Sequence, residues 1–367
     1  MMRGDVILLI VWWLVIFSRF LSGNSDSRLA QASGLAPALY VLGDSLLDSG
    51  NNNFLPTLAK ANFQPYGVNF PNGATGRFTN GRTVADFIAE FLGLPMPPPF
   101  MSFRNSGVLT GLNYASGSCG ILPETGNFMG KCLKLDDQID MFGETVKYDL
   151  SKHHGSTEEL SEYLSKSIFL VSTGSNDYIN NYLEPNLYDS SKRYSPQAFA
   201  QLLTDSLSQK LERLYQLGAR KVVMFEIGPV GCMPTITRQY KHNGQCVEEF
   251  NKLVSLFNDQ LATILNNLTS TLPGSTFVLG HVHWLGYDAI TNPSTYGLRD
   301  VSDACCTTWA NGTSGCIPEL QPCTPTDNHY FWDAFHLTEA VYSVIAARCI
   351  NDTSVCKPAS ITELIQV

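Results

Sequence analysis

The sequence predicts an α/β fold, a three-layer α/β/α sandwich with a mostly parallel central sheet. Three observations carry that expectation. Runs at 38–43 (ALYVLG), 167–172 (SIFLVS), 221–228 (KVVMFEIG) and 276–280 (TFVLG) are short and almost continuously apolar, as strands buried on both faces are. Amphipathic helical patterns lie between them. Strand and helix then alternate along the chain, which favours parallel pairing with helices on both faces of the sheet.

The elements follow in chain order. Arg3 precedes twelve apolar residues, Val6–Phe17, too few to span a bilayer at about 20 residues per helix. The length suits the hydrophobic region of a secretory leader. Residues 1–32 are therefore expected to be a signal peptide cleaved between about 22 and 32, with Gly23 and Ala30-Gln31-Ala32 as candidate ends. The first strand, 38–43, runs into Gly43-Asp44-Ser45. A helix follows with Val84, Phe87, Ile88, Phe91 and Leu92 on one stripe, then a Pro-rich surface loop at 93–100. The run 111–122 (GLNYASGSCGIL) ends a further strand in glycines and serines, and 167–172 leads into STGSND, 172–177. The helix at 195–218 has Ser195 to cap it, Pro196 in its first turn and Gly218 beyond its end. Helices at 247–268 and 337–349 complete the pattern. No repeat or long linker divides the chain, so 33–367 is read as one domain.

Composition narrows the function. Of 367 residues 44% are hydrophobic and 16% charged, which describes a large core rather than disorder. A net charge of −9 argues against nucleic acid and anionic lipid as partners. With no second long apolar run, no stable membrane insertion is expected of the mature chain; its oligomeric state is not legible. Ten cysteines, all downstream of the leader, read as disulfides formed in an oxidising compartment. Spacing suggests Cys119 with Cys132, Cys232 with Cys246, Cys349 with Cys356, and two bridges within 305–323. Sequons at Asn267, Asn311 and Asn351 agree with a secreted, extracellular glycoprotein.

In an open parallel sheet, ligands gather beyond the carboxyl ends of the strands. That is where Ser45 stands, a serine that either caps a helix or acts as a nucleophile. A nucleophile needs a base. Among seven histidines, His336 alone has an aspartate, Asp333, three residues earlier in a turn, a spacing that lets a carboxylate reach the imidazole. Spacing by itself leaves catalysis and a solvated Asp–His pair equally open. His281 and His283 read as packing rather than as metal ligands. Asp44 and Asp177 read as loop hydrogen-bond acceptors, and Asn51–Asn53 as residues shaping a turn through left-handed geometry. Loops 93–104 and 123–131 are expected to shape the pocket.

GDSLLDSGNNN, NYASGSCGIL, TGSND and FWDAFHLTEA occur in the order of the four sequence blocks of the GDSL esterase/lipases. The chain resembles a plant-type secreted member of that family, within the SGNH hydrolases, over about residues 38–356. The resemblance implies a flavodoxin-like sandwich and a serine hydrolase that cleaves carboxylic esters of lipid-like or acetylated extracellular substrates through an acyl-enzyme. It implies Ser45 as nucleophile, His336 as base and Asp333 as its orienting acid. It also implies an oxyanion hole from the Asn176 side chain and the backbone N–H groups of Ser45 and Gly120, with Gly117 the less favoured alternative. No metal or organic cofactor is implied. An acyltransferase using the same triad, or a secreted glycoprotein without turnover, are the alternative readings. Ser118 and Cys119 depart from the small Gly or Ala common in block two, and Leu337 from the usual Pro.

Overall fold

Strands that must be buried on both faces need continuous apolar runs, and those runs are where the strands form. The computed structural model describes residues 34–104 and 106–367; the expected leader lies outside them. In chain order the principal elements are β1 (Leu39–Gly43), α1 (Val84–Phe91), α2 (Leu135–Glu144), α3 (Thr157–Lys166), β2 (Ile168–Ser172), α4 (Pro196–Gln216), β3 (Lys221–Phe225), α5 (Glu248–Thr271), β4 (Thr276–Gly280), α6 (Val282–Thr291), β5 (Asp300–Ala304), β6 (His329–Phe331), α7 (Glu339–Asn351) and β7 (Cys356–Lys357).

The main sheet has the order β1-β2-β3-β4-β7, parallel through β4, with the short β7 antiparallel at the far edge. Every residue of β1, β2 and β3 is buried. The strand expected within 111–122 is an irregular ladder instead. Leu39 N–H donates to Thr110 O, Val41 N–H to Leu112 O and Tyr114 N–H to Val41 O, with one parallel bridge between Val41 and Asn113. Counting this segment as second in chain order gives the order 2-1-3-4-5, the flavodoxin pattern, whose switch point lies between β1 and β2.

Helices α4 and α5 pack on each other with α2 beside α4, and α7 packs on α1; these groups form the outer layers. Helix α4 begins as its sequence predicts: the Ser195 hydroxyl accepts from Ala198 N–H at 3.3 Å with Pro196 in the first turn. The run 221–228 yields a strand only to Phe225; beyond it the backbone turns away. The Pro-rich loop departs from expectation too. Phe100 N–H donates to Asn113 O and Asn113 N–H to Pro98 O, so 98–100 flanks the sheet edge, and no residue of 93–104 lines the large cavity described below.

Five disulfides close local loops: Cys119–Cys132, Cys232–Cys246, Cys305–Cys323, Cys306–Cys316 and Cys349–Cys356, and no cysteine among the described residues is free. The last ties α7 to β7. No helix among the described residues is long and apolar enough to cross a membrane.

Candidate active site

The carboxyl end of β1 is held tightly enough to make the next residue's position definite. A Cβ on Gly43 would stand 2.0 Å from Ser172 O at the end of β2, so only glycine fits there. The buried Gln138 side chain, from α2, accepts Gly43 N–H at 2.7 Å and donates to Gly43 O at 2.8 Å. Asp44 is 1% exposed, and its Oδ1 accepts Leu46 N–H at 3.0 Å. Its backbone carbonyl takes the N–H groups of Leu47 and Asp48. Ser45 N–H takes no part in these turn bonds, and the Ser45 hydroxyl faces a cavity of about 490 Å³.

His336 arrives from the other end of the chain. It precedes α7, whose N-cap position is Thr338. The His336 Nε2 lies 2.8 Å from Ser45 Oγ, and Nδ1 lies 2.7 Å from Asp333 Oδ2 and 2.9 Å from Oδ1. Phe78 lies against the imidazole at 5.0 Å between ring centroids. Asp333 is fully buried, and its carboxylate also accepts from Phe335 N–H, His336 N–H and the Tyr66 hydroxyl, the last at 2.7 Å. Burial alone would raise this carboxyl. The facing His336 and the hydrogen bonds from His336, Tyr66 and Phe335 outweigh it and hold the group below its ordinary range. A hydroxyl, an imidazole and an ionised carboxylate in this sequence can remove the hydroxyl proton and stabilise the imidazolium that forms.

Asn176 lies in the turn after β2 and lines the same cavity. Its Oδ1 accepts from Asn180 Nδ2 at 2.6 Å, and its Nδ2 donates to Cys119 O at 2.9 Å. An amide nitrogen carries two hydrogens, so one remains for the cavity. In block two, Gly117 N–H is spent on Asp48 Oδ2 at 3.1 Å. Gly120 lies outside the cavity lining with its Cα against Asp177, where a Cβ would meet the carboxylate at 2.4 Å. Of residues 117–120 only Ser118 lines the cavity, in a left-handed conformation with φ 69°. The sequence signal for it was the departure from Gly at that position. Tyr66 and Gln138 carry no sequence signal, since their partners are 267 and 95 residues away.

The buried acids organise the loops. Asp48 accepts from the N–H groups of Gly50, Asn51 and Gly117, and Asp177 from those of Ile121 and Leu122 and from the Thr125 hydroxyl. Asn51 and Asn52 differ from the expected left-handed turn. They lie in a 3-10 turn, Asn51–Phe54, the positive φ falls on Gly50, and their side-chain amides bond the carbonyls of Asn113, Ala115, Ala59 and Gly117. His281 Nδ1 bonds Glu226 at 2.8 Å. The Cys305, Cys323 and His329 cluster offers no thiolate, because its two sulfurs are bonded to each other.

Burial pushes the Asp44 carboxyl up to about 7, and those of Asp48 and Asp177 to about 6. Folded protein therefore binds more protons than unfolded protein between about pH 4 and 7, and stability falls as pH rises through that window. Asp333, shifted the other way, contributes stability that is lost only below the ordinary carboxylate range. The apparent Tm by calorimetry is expected to be about 3 °C or more higher at pH 5 than at pH 8, from a gain of a few kcal/mol. A lower Tm at pH 5 contradicts this.

Three exposed aromatic side chains belong to the cavity lining. They are Phe128, Tyr240 and Trp309, 43%, 37% and 55% exposed. Each stands in a different disulfide-closed loop, 119–132, 232–246 and 306–316. Loop 123–131 thus shapes the pocket as its position suggested. Sequon residues Asn267, Asn311 and Asn351 are all exposed.

Residues 39–349 match the sequence model of the family described as GDSL-like Lipase/Acylhydrolase. The chain is 44% identical over 363 residues to GDSL esterase/lipase 7 of Arabidopsis thaliana, covering 96% of this chain and 98% of that one. It is 42% identical to a second Arabidopsis thaliana GDSL esterase/lipase, covering 98% and 94%. The solved phospholipase A1 from Streptomyces albidoflavus NA297 aligns with TM-score 0.31 at 12% identity over 85% of this chain and 96% of its own, a likeness below what identifies a shared fold.

Proposed function

Because the chain belongs to the GDSL-like lipase/acylhydrolase family and is an ester hydrolase, we propose that it works through a Ser45–His336–Asp333 triad and an acyl-enzyme. The observation that supports this most is the unbroken chain from Ser45 Oγ to His336 Nε2 at 2.8 Å and from His336 Nδ1 to Asp333 at 2.7 Å. His336 takes the Ser45 proton as Oγ attacks the ester carbonyl. It returns that proton to the leaving alcohol, then activates the water that releases the acid.

Negative charge that grows on the carbonyl oxygen needs donors already in place. Two are the Ser45 N–H and the free Asn176 Nδ2 hydrogen. The third is assigned to Ser118 N–H rather than to Gly120 or Gly117. Ser118 lines the cavity, whereas Gly120 does not and Gly117 N–H is engaged elsewhere. The mature chain, 33–367 after removal of the leader, is proposed to be secreted and to carry glycans at Asn267, Asn311 and Asn351. The leader-like run, the five disulfides and the exposure of all three asparagines support that reading.

The test uses p-nitrophenyl butyrate and Asn176→Ala. Loss of one such donor is expected to lower kcat by about 10²–10³-fold with KM little changed, because the donor acts mainly on the transition state. Equal kcat in the two proteins removes Asn176 from the oxyanion hole.

A further inference from the structure

One disulfide-closed loop reaches the triad acid from two directions. The segment between Cys306 and Cys316 brackets residue 333: Cys306 N–H donates to Trp332 O at 2.9 Å, and Ala334 N–H to Ser314 O at 3.3 Å. At the end of the same loop Cys316 N–H donates to the Tyr66 hydroxyl at 3.2 Å, and that hydroxyl lies 2.7 Å from Asp333 Oδ2. The approach is close: a Cβ on Gly315 would stand 3.0 Å from the Tyr66 oxygen. Tyr66 is 2% exposed, and its ring meets those of Phe63 and Phe78 edge-on at 5.3 and 6.1 Å between centroids. A phenol has one hydrogen to give. Cys316 N–H can only donate, so it takes a lone pair of the oxygen and leaves that hydrogen for the carboxylate, which as an ion can only accept. Burial and the facing Asp333 push the Tyr66 hydroxyl well above its ordinary range, so it keeps the hydrogen. Both backbone N–H groups bond Asp333 Oδ1, whereas Oδ2 has only Tyr66 besides the imidazole.

We propose that Tyr66 is a positioning residue of the triad, aimed by the 306–316 loop, whose hydroxyl fixes the Asp333 carboxylate and stabilises the negative charge of the Asp333–His336 pair. The inference rests on the triad reading and adds the group that sets its acid. The pair is anionic before it takes the Ser45 proton and neutral afterwards. A donor to Asp333 therefore favours the form that is ready to act as base, and its loss raises the pH at which the pair becomes competent. Two other ionisable groups face the pair: Asp44, at the end of β1, acts on His336, and Tyr342 of α7 faces both Asp44 and Asp333. Both are present in parent and variant alike, so the difference between the two proteins reports the Tyr66 hydroxyl.

Tyr66→Phe keeps the ring and deletes the hydroxyl. With p-nitrophenyl butyrate the acidic limb of kcat/KM against pH is expected to move up by about half a unit or more. At the plateau kcat should fall about fivefold with KM little changed. In Asp333→Asn protein, which has no charge to hold, adding Tyr66→Phe should alter kcat by less than about twofold. Replacing Tyr66 by 3-fluorotyrosine, a stronger donor of the same shape, leaves Cys316 N–H its acceptor and should move the limb down by a few tenths of a unit, about 0.3. A limb within about 0.1 unit of the parent in each of these variants that folds, beside an impaired Asp333→Asn, makes Tyr66 a packing residue and overturns the proposal alone. Parental kcat in Asp333→Asn would overturn the triad reading and the proposal with it.

Discussion

Replacing Ser45 by alanine is expected to lower kcat/KM for p-nitrophenyl butyrate by roughly 10⁵-fold while the protein remains folded. The size follows from the role proposed for the hydroxyl. Without Oγ no acyl-enzyme forms, His336 has no proton to take, and what remains is the contribution of the oxyanion donors and of binding alone. The fold should not notice. The backbone of residue 45 is set by Gly43 against Ser172, by Gln138 clamping the Gly43 peptide groups and by Asp44 accepting Leu46 N–H, and none of these uses the hydroxyl. Alanine thus deletes one hydrogen bond, the 2.8 Å contact to His336. A loss under tenfold would mean that another group attacks the ester, or that water does so directly.

Asp333→Asn is expected to cost about 10⁴-fold in kcat, close to the effect of removing the nucleophile. The substitution is nearly isosteric, and an asparagine oxygen could still accept the N–H groups of Phe335 and His336 that now bond Oδ1 at 2.8 Å. What it removes is the negative charge facing Nδ1 and the acceptor that fixes the imidazole tautomer. With an amide N–H₂ turned toward the ring, Nδ1 becomes the acceptor and Nε2 carries the hydrogen, so Nε2 can no longer take the serine proton. The charge is maintained in the native site against full burial by His336, Tyr66 and two backbone N–H groups. Circular dichroism would check that the variant is folded, and the rate would decide. A loss of tenfold or less would show that His336 needs no orienting acid.

The parts of this molecule that were legible in its sequence are those written in local pattern. Strands β1 to β4 could be read because burial on both faces demands unbroken apolar runs, and α4 because a cap, a proline and a glycine mark its ends. The disulfide pairings of short separation could be read for the same reason; the two within 305–323 needed the structure to resolve them as Cys305–Cys323 and Cys306–Cys316. What eluded the sequence depends on distant contact. The strand expected within 111–122 forms only as an irregular ladder at 110–116, shared between β1 on one side and residues 98–100 on the other. Tyr66 bonds the Asp333 carboxylate from far upstream, and Gln138 clamps Gly43 from α2. Neither residue type nor spacing marks them. The block-two donor is an intermediate case: the resemblance implies a glycine, and the residue of that block that lines the cavity is Ser118, which adopts the left-handed conformation without being one.

The central claim is that Ser45 is the nucleophile, made reactive by His336. Incubation with p-nitrophenyl hexylphosphonate followed by peptide mass spectrometry tests it most directly. The account predicts a single phosphonyl adduct, on the peptide bearing Ser45, formed with loss of esterase activity in step and at least a thousandfold more slowly in His336→Ala. Esterase activity that survives full exposure to the reagent, or an adduct on any other residue, would contradict it.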